Sequence, residues 1–295
     1  MKLFSAAVLA LAAGLAHAAP LPEASPRGEA ALTQPAGRDP AYQSLMDKVG
    51  PALVTIKFVL KMEGGGPFGG DQEMEAMGVL IEADGLILVS SMEMGGFLAR
   101  MGMQATPSDI KVLIGDDTEG VKAKLISRDT ELDQAWVKVE TAPNDPYPIV
   151  DLASTASPAL GDPLYAVSRM GKFMDRAPII IEGKLAGVAS KPRHLLLGGM
   201  TFAGQVGRPV FDGAGKFVGI VTMMMPDEDE SDMSGGMFGS MRDMFAGVIL
   251  PAAEVANATR RAKEHAANPA AAPAPADAAP AEPAADPMGD EPKKD

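Results

Sequence analysis

Acyl transfer by a side chain needs a nucleophile, a base within hydrogen-bond reach and a group that orients the base. The chain holds few residues of these types. It has three histidines and no cysteine. His17 lies in the N-terminal apolar segment, His194 in KPRHLLLGG, and His265 near the end of an Ala-rich helical stretch. Thiol catalysis, disulfides and thiolate metal sites are therefore excluded. The chain also carries Ser90-Ser91, an Asp133 that precedes a β-rich run, and a glycine-containing loop, Gly204-Gln205-Val206-Gly207-Arg208-Pro209. Methionine is abundant, with 20 residues. Met92, Met94, Met101 and Met103 form one group, Met223, Met224 and Met225 a second. Met233, Met237, Met241 and Met244 lie in the segment PDEDESDMSGGMFGSMRDMF. Thioether side chains fill core gaps, line adaptable apolar binding surfaces, or act as soft ligands for Cu(I). All three readings stay open at this point. The acidic run Asp227 to Asp232 lacks the glycine and distal glutamate of an EF-hand loop and reads as a solvated loop.

These residues are spaced along short, β-rich segments. Asp39-Pro40 opens a short helix with Tyr42, Leu45, Met46 and Val49 on its apolar face, ended by Pro51. ALVTIKFVLK is a strand dense in β-branched residues. MGVLIEADGLILVSS is a hairpin that turns at Asp84-Gly85. IKVLI and VKAKLISRD flank an acidic turn at Asp116-Asp117, and QAWVKVE completes a first set of strands. DPLYAVSRM, PIIIEGKLAGVAS, HLLLGG, PVFD, KFVGIVTMM and GVILP form a second set, and PAAEVANATRRAKEHA is a closing helix. Many short, evenly spaced strands in two sets predict an all-β fold of two antiparallel barrels.

The ends of the chain differ in composition. Residues 1–18 carry Lys2, an apolar run to Leu15 and Ala16-His17-Ala18, the pattern of a secretory signal peptide. Residues 19–38 read as a linker, and 266–295 as a disordered Ala/Pro-rich acidic tail. The folded part is then 39–265, with barrels over about 39–145 and 146–265. No later segment is apolar for long enough to span a bilayer. The expected location is periplasmic or secreted, and an uncleaved N-terminal anchor is the alternative. The formal net charge of −13 argues against nucleic acid and anionic membrane surfaces as partners.

Three blocks, in order, resemble the chymotrypsin/trypsin-like serine protease fold, in its HtrA/Deg-like branch. MGVLIEADGLILVSSMEMG (77–95) resembles the block that ends in the catalytic histidine, and Met92 takes the histidine's position. ISRDTELDQAWVKVE resembles the aspartate block, with Asp133 in place. Gly204 to Pro209 resembles the nucleophile loop, with Val206 at the serine position. The resemblance covers about 39–262 and leaves no segment for a PDZ domain. It implies two six-stranded antiparallel barrels with a short leading helix and a closing helix. It also implies a degenerate site, a pseudoprotease: neither Met92 nor Val206 has the chemistry of the residue it replaces.

In that frame Asp133 is a buried carboxylate without an imidazole, satisfied by backbone N–H groups or a hydroxyl such as that of Ser91; a simple turn residue is the other reading. Gly204 and Val206 match the oxyanion-hole donors, and Arg208 would collapse or fill the hole. Met92, Met94, Met223, Met224, Met237 and Met241 would rim a cleft that accepts peptide. The expected function is an exported, inactive trypsin-like homologue that binds protein or peptide, with no cofactor and no metal. Two other readings are an active endopeptidase with an unusual site and a copper-handling protein that uses its methionine-rich loops.

Overall fold

A computed structural model describes residues 40–62, 70–100, 105–115, 117–224 and 247–268. The leading helix α1 is Pro40–Val49, followed by a short 3-10 turn through Pro51. Six strands then follow: β1 (Leu53–Met62), β2 (Gly70–Glu82), β3 (Leu86–Ser90), β4 (Ala105–Leu113), β5 (Val121–Asp129) and β6 (Gln134–Val139). They close into an antiparallel barrel in the order β1-β2-β3-β6-β5-β4. The β2–β3 hairpin turns at Ala83-Asp84-Gly85, where Gly85 adopts φ +89° and donates its N–H to Glu82 O. A side chain at 85 would also press on Val139, so glycine is required there twice over.

Ile56, Phe58, Leu60, Val79, Ile87, Val89, Val112, Val137 and Val139 are buried. Burial of these β-branched and aromatic side chains drives closure of the barrel. Between β3 and β4 the chain makes a π-helical turn at Met92–Gly96 and a four-residue helix α2 (Phe97–Arg100).

The second half is an antiparallel sheet of β7 (Pro163–Arg169), β8 (Pro178–Lys184), β9 (Gly187–Ala189), β10 (Leu195–Leu197), β11 (Pro209–Phe211), β12 (Phe217–Val221) and β13 (Val248–Pro251). Its order is β8-β7-β11-β12-β13-β10-β9. The two-barrel architecture holds, with a correction to the second barrel. The sequence segment PIIIEGKLAGVAS is two strands, not one, so this sheet has seven strands and is not hydrogen-bonded shut. The break falls at Leu185-Ala186. Leu185 leaves the β8 ladder to exchange backbone bonds with Gly161 and Asp162, while Ala186 N–H turns to Leu197 O. Its side chain is buried in the core of this sheet. Because β8 and β9 are consecutive in the chain yet stand at opposite edges of the sheet, the sheet curls back on itself as a half-barrel.

Helix α1 packs on the second sheet although it precedes the barrel. Tyr42 donates its hydroxyl proton to Glu182 at 2.7 Å and meets Tyr165 edge-on at 5.7 Å. The closing helix α3 (Ala252–Ala267) packs against both halves, over β5 and β12. Buried Trp136 donates its indole N–H to Thr259 Oγ1 at 3.1 Å. Replacing Thr259 by valine keeps the shape and strands that buried donor. Such a change should cost about 1–2 kcal/mol, read as a lowered denaturation midpoint with unchanged slope.

Among the described residues no helix is long and apolar enough to cross a membrane.

Candidate functional site

The structure brings Met92, Asp133 and Val206 to one seam between the barrel and the second sheet. Asp133 ends the β5–β6 connection with φ +56°, a conformation asparagine and aspartate tolerate better than most residues. Its carboxylate is buried and accepts three groups of donors. Ser90 Oγ lies 2.9 and 3.1 Å from the two oxygens, Met92 N 2.8 Å from Oδ1, and Met223 N 3.2 Å from Oδ2. Val206 joins the seam through its neighbour. Gly207, at φ +77°, is seated against Ser90; a Cβ there would come within 3.2 Å of the Ser90 Cβ and 3.3 Å of its backbone N.

Ser90, not Ser91, supplies the hydroxyl to Asp133. Ser90 is the last residue of β3, paired with Gln134 beside Asp133. Ser91 has already turned into helical conformation, at φ −60° and ψ −36°. Its hydroxyl packs against Gly96 and has no partner, though buried.

Burial pushes the Asp133 carboxyl up from its ordinary 3.8 to about 6. The N–H groups of Met92 and Met223 and the Ser90 hydroxyl pull the other way, and the charge of Glu93 adds to the rise. Desolvation wins, and among the described residues no cation pairs with this carboxylate.

Glu93 and Arg208 form the second half of the site, which sequence reasoning missed. Arg208 Nη1 lies 3.1 and 3.3 Å from the Glu93 oxygens and 2.8 Å from Val206 O, while its Nε donates to Ser168 Oγ at 3.0 Å. Glu93 also accepts the Met77 N–H at 3.2 Å. The side chains are 15% and 27% exposed, so this is a largely desolvated ion pair. Burial raises the Glu93 pKa by more than the Arg208 guanidinium and the Met77 N–H lower it. The chain Met77–Glu93–Arg208–Ser168 thus bridges barrel and sheet beside Val206. Arg208 lies beside the 204–209 loop without tying up the Gly204 and Val206 N–H groups, and takes Glu93 as its counterion. A lone charge beside Met92 in an apolar stretch was the available signal, but its partner is 115 residues away.

The loop keeps free donors. Gly204 has φ +73°, is exposed, and its N–H makes no hydrogen bond; nor does that of Val206. Gln205 N–H goes to Phe202 O, Gly207 N–H to Val221 O and Arg208 N–H to Gln205 O.

The methionines divide. Met92 and Met223 are half-buried at the seam. Met94 is a correction: it is fully buried, so it belongs to the barrel core and not to a peptide surface. The turn forces this, because Gly95 at φ +91° reverses the chain and Met94 O accepts Arg128 Nη2 at 2.7 Å. Met224 packs against the core. Met237 and Met241 lie outside the described residues, as do Met101, Met103, Met225 and the rest of the methionine-rich segment. His194 and His265 are both exposed and lie outside the seam. No group of three or more His, Asp or Glu side chains that could hold a metal occurs among the described residues.

Residues 76–220 match the family model of the trypsin-like peptidase domain. No curated protein matches the chain. The solved structures that it resembles include the protease domain of MamO from Magnetospirillum magneticum in its apo form. That match has 20% sequence identity and a TM-score of 0.45, and covers 72% of this chain and 97% of the other. The closed barrel, the half-barrel beside it and the family match that spans parts of both together show a trypsin-like serine protease fold.

Proposed function

We propose that this protein is a non-catalytic, exported member of the trypsin-like fold that binds protein or peptide at the seam between its two halves. The observation that carries the reading is the seam's composition. The carboxylate that would orient a base is present and hydrogen-bonded, but the adjoining position is Met92 and the nucleophile position is Val206. Neither side chain can take or give a proton, so covalent acyl transfer has no starting point. The free N–H groups of Gly204 and Val206 and the half-buried Met92 and Met223 remain as a recognition surface. The N-terminal signal pattern supports export to a periplasm or beyond.

The test pairs two measurements on the purified protein. It should leave casein uncut over a long incubation, and it should slow the aggregation of an unfolded client such as reduced α-lactalbumin. Casein cleavage that tracks the protein through purification would return the reading to an active endopeptidase. Absence of both activities would remove the binding half of the proposal.

A further inference from the structure

We infer that Arg208 makes the seam a receptor for a free carboxylate, so that the ligand is a peptide engaged by its C-terminal end. This inference rests on the peptide-binding reading above and narrows it.

Three observations carry it. First, Arg208 is incompletely used. Its Nε and Nη1 are bonded, but Nη2 makes no bond, and the side chain retains some exposure. The spare N–H pair on Nη2 can give a carboxylate a charge-assisted hydrogen bond. Second, the guanidinium adjoins the loop whose donors are free. It lies 2.8 Å from Val206 O, one peptide unit from the unbonded Val206 N–H and three residues beyond Gln205, whose neighbour Gly204 holds the other unbonded N–H. Backbone donors and a fixed cation in one place form an anion-accepting notch. Third, the seam is bridged beside the loop. The bonded chain from Ser168 through Arg208 and Glu93 to Met77 joins the second sheet to the barrel. On the Arg208 side an extended peptide at the loop would run into this desolvated pair. A peptide that ends there would not, and its terminal carboxylate would arrive beside the donors.

Glu93 then has a defined role as the resident counterion. It holds the guanidinium in place and competes with the incoming carboxylate. The carboxyl-terminal carboxylate comes on an otherwise neutral peptide, so recognition is local and does not require the protein as a whole to attract anions. The net charge of −13 opposes that approach only over distances that salt screens, roughly 8 Å at physiological ionic strength.

The experiment uses the full protein immobilised on beads and two synthetic pools. One is a pool of N-acetylated tetrapeptides with randomised uncharged residues and a free C-terminal carboxylate; the other is the same pool with a C-terminal amide. Retention is quantified by mass spectrometry. Wild-type protein should retain the carboxylate pool about tenfold more than the amide pool, the effect of one or two charge-assisted bonds. Arg208→Gln should bring that ratio to near unity, and Arg208→Lys should keep part of it. Glu93→Gln removes the competing counterion and should raise carboxylate retention several-fold. Equal retention of both pools by wild type would overturn the carboxylate inference while leaving peptide binding intact. A preference that survives in Arg208→Gln would show that another group reads the terminus and would overturn it as well. Retention of neither pool would sink the inference and count against the peptide reading itself. If Arg208→Gln does not fold, as judged by its thermal transition, the Glu93→Gln arm decides: unchanged carboxylate retention there overturns the inference.

Discussion

Wild-type protein, Val206→Ser and Met92→His should all fail to react with a fluorophosphonate probe, and only the double variant Met92→His/Val206→Ser should label. A serine at 206 would have no base within the 2.6–3.2 Å that proton transfer requires, and a histidine at 92 would have nothing to activate. Loss of either member of such a pair costs on the order of 10⁶ in rate, and loss of both costs little more. Each single variant should therefore match wild type. The double variant differs because the rest of the frame is in place. Asp133 already accepts the N–H of residue 92 at 2.8 Å, is held by Ser90, and would orient an imidazole there. The Gly204 and Val206 N–H groups are unbonded and free to receive an oxyanion. Labelling of wild type at any serine would mean that the protein has a nucleophile elsewhere. An unlabelled double variant would mean that residues 92, 133 and 206 meet at the seam without the geometry of a triad.

The second large effect concerns Asp133 and the stability of the fold. Replacing it by alanine leaves the Met92 and Met223 N–H groups and the Ser90 hydroxyl without an acceptor in a buried site. That should cost roughly 2–5 kcal/mol at neutral pH. Asparagine behaves differently, because it keeps an acceptor and removes the titration. In wild type the folded state holds the Asp133 proton at a pKa of about 6, against 3.8 ordinarily. The folded state therefore binds this proton more tightly than the unfolded chain does. Stability due to this group is lowest above pH 6, rises as pH falls through about 6, and levels off below about 4, a gain on the order of 3 kcal/mol.

Glu93, also raised by burial, contributes in the same direction. Other carboxylates titrate in this range, so the informative quantity is the difference between wild type and Asp133→Asn. From pH 8 to pH 4, wild type should gain stability relative to the variant in urea unfolding. Parallel curves for the two proteins would show that Asp133 does not titrate between those limits.

The sequence by itself determined the framework of this protein. Alternation in ALVTIKFVLK, the Asp84-Gly85 turn and the β-branched run after Asp133 are local signals, and each specifies one strand or hairpin without reference to the rest of the chain. The positions 92, 133 and 206 were read from motif spacing alone, which is a local property of three segments.

Tertiary structure decided what local pattern cannot encode. PIIIEGKLAGVAS reads as one strand, and divides only because Leu185 finds backbone partners in Gly161 and Asp162 and a buried site for its side chain. Ser90 and Ser91 are alike in sequence, yet the chain leaves the β3 ladder between them, so one hydroxyl faces Asp133 and the other faces Gly96. Met94 looks like Met92 and is core, because a glycine at positive φ turns it inward. The Glu93–Arg208 pair joins residues on different halves of the molecule. Two isolated charges in apolar surroundings say that each needs a partner. Only closure of the barrel against the second sheet, which removes both from water at one place, makes each the partner of the other.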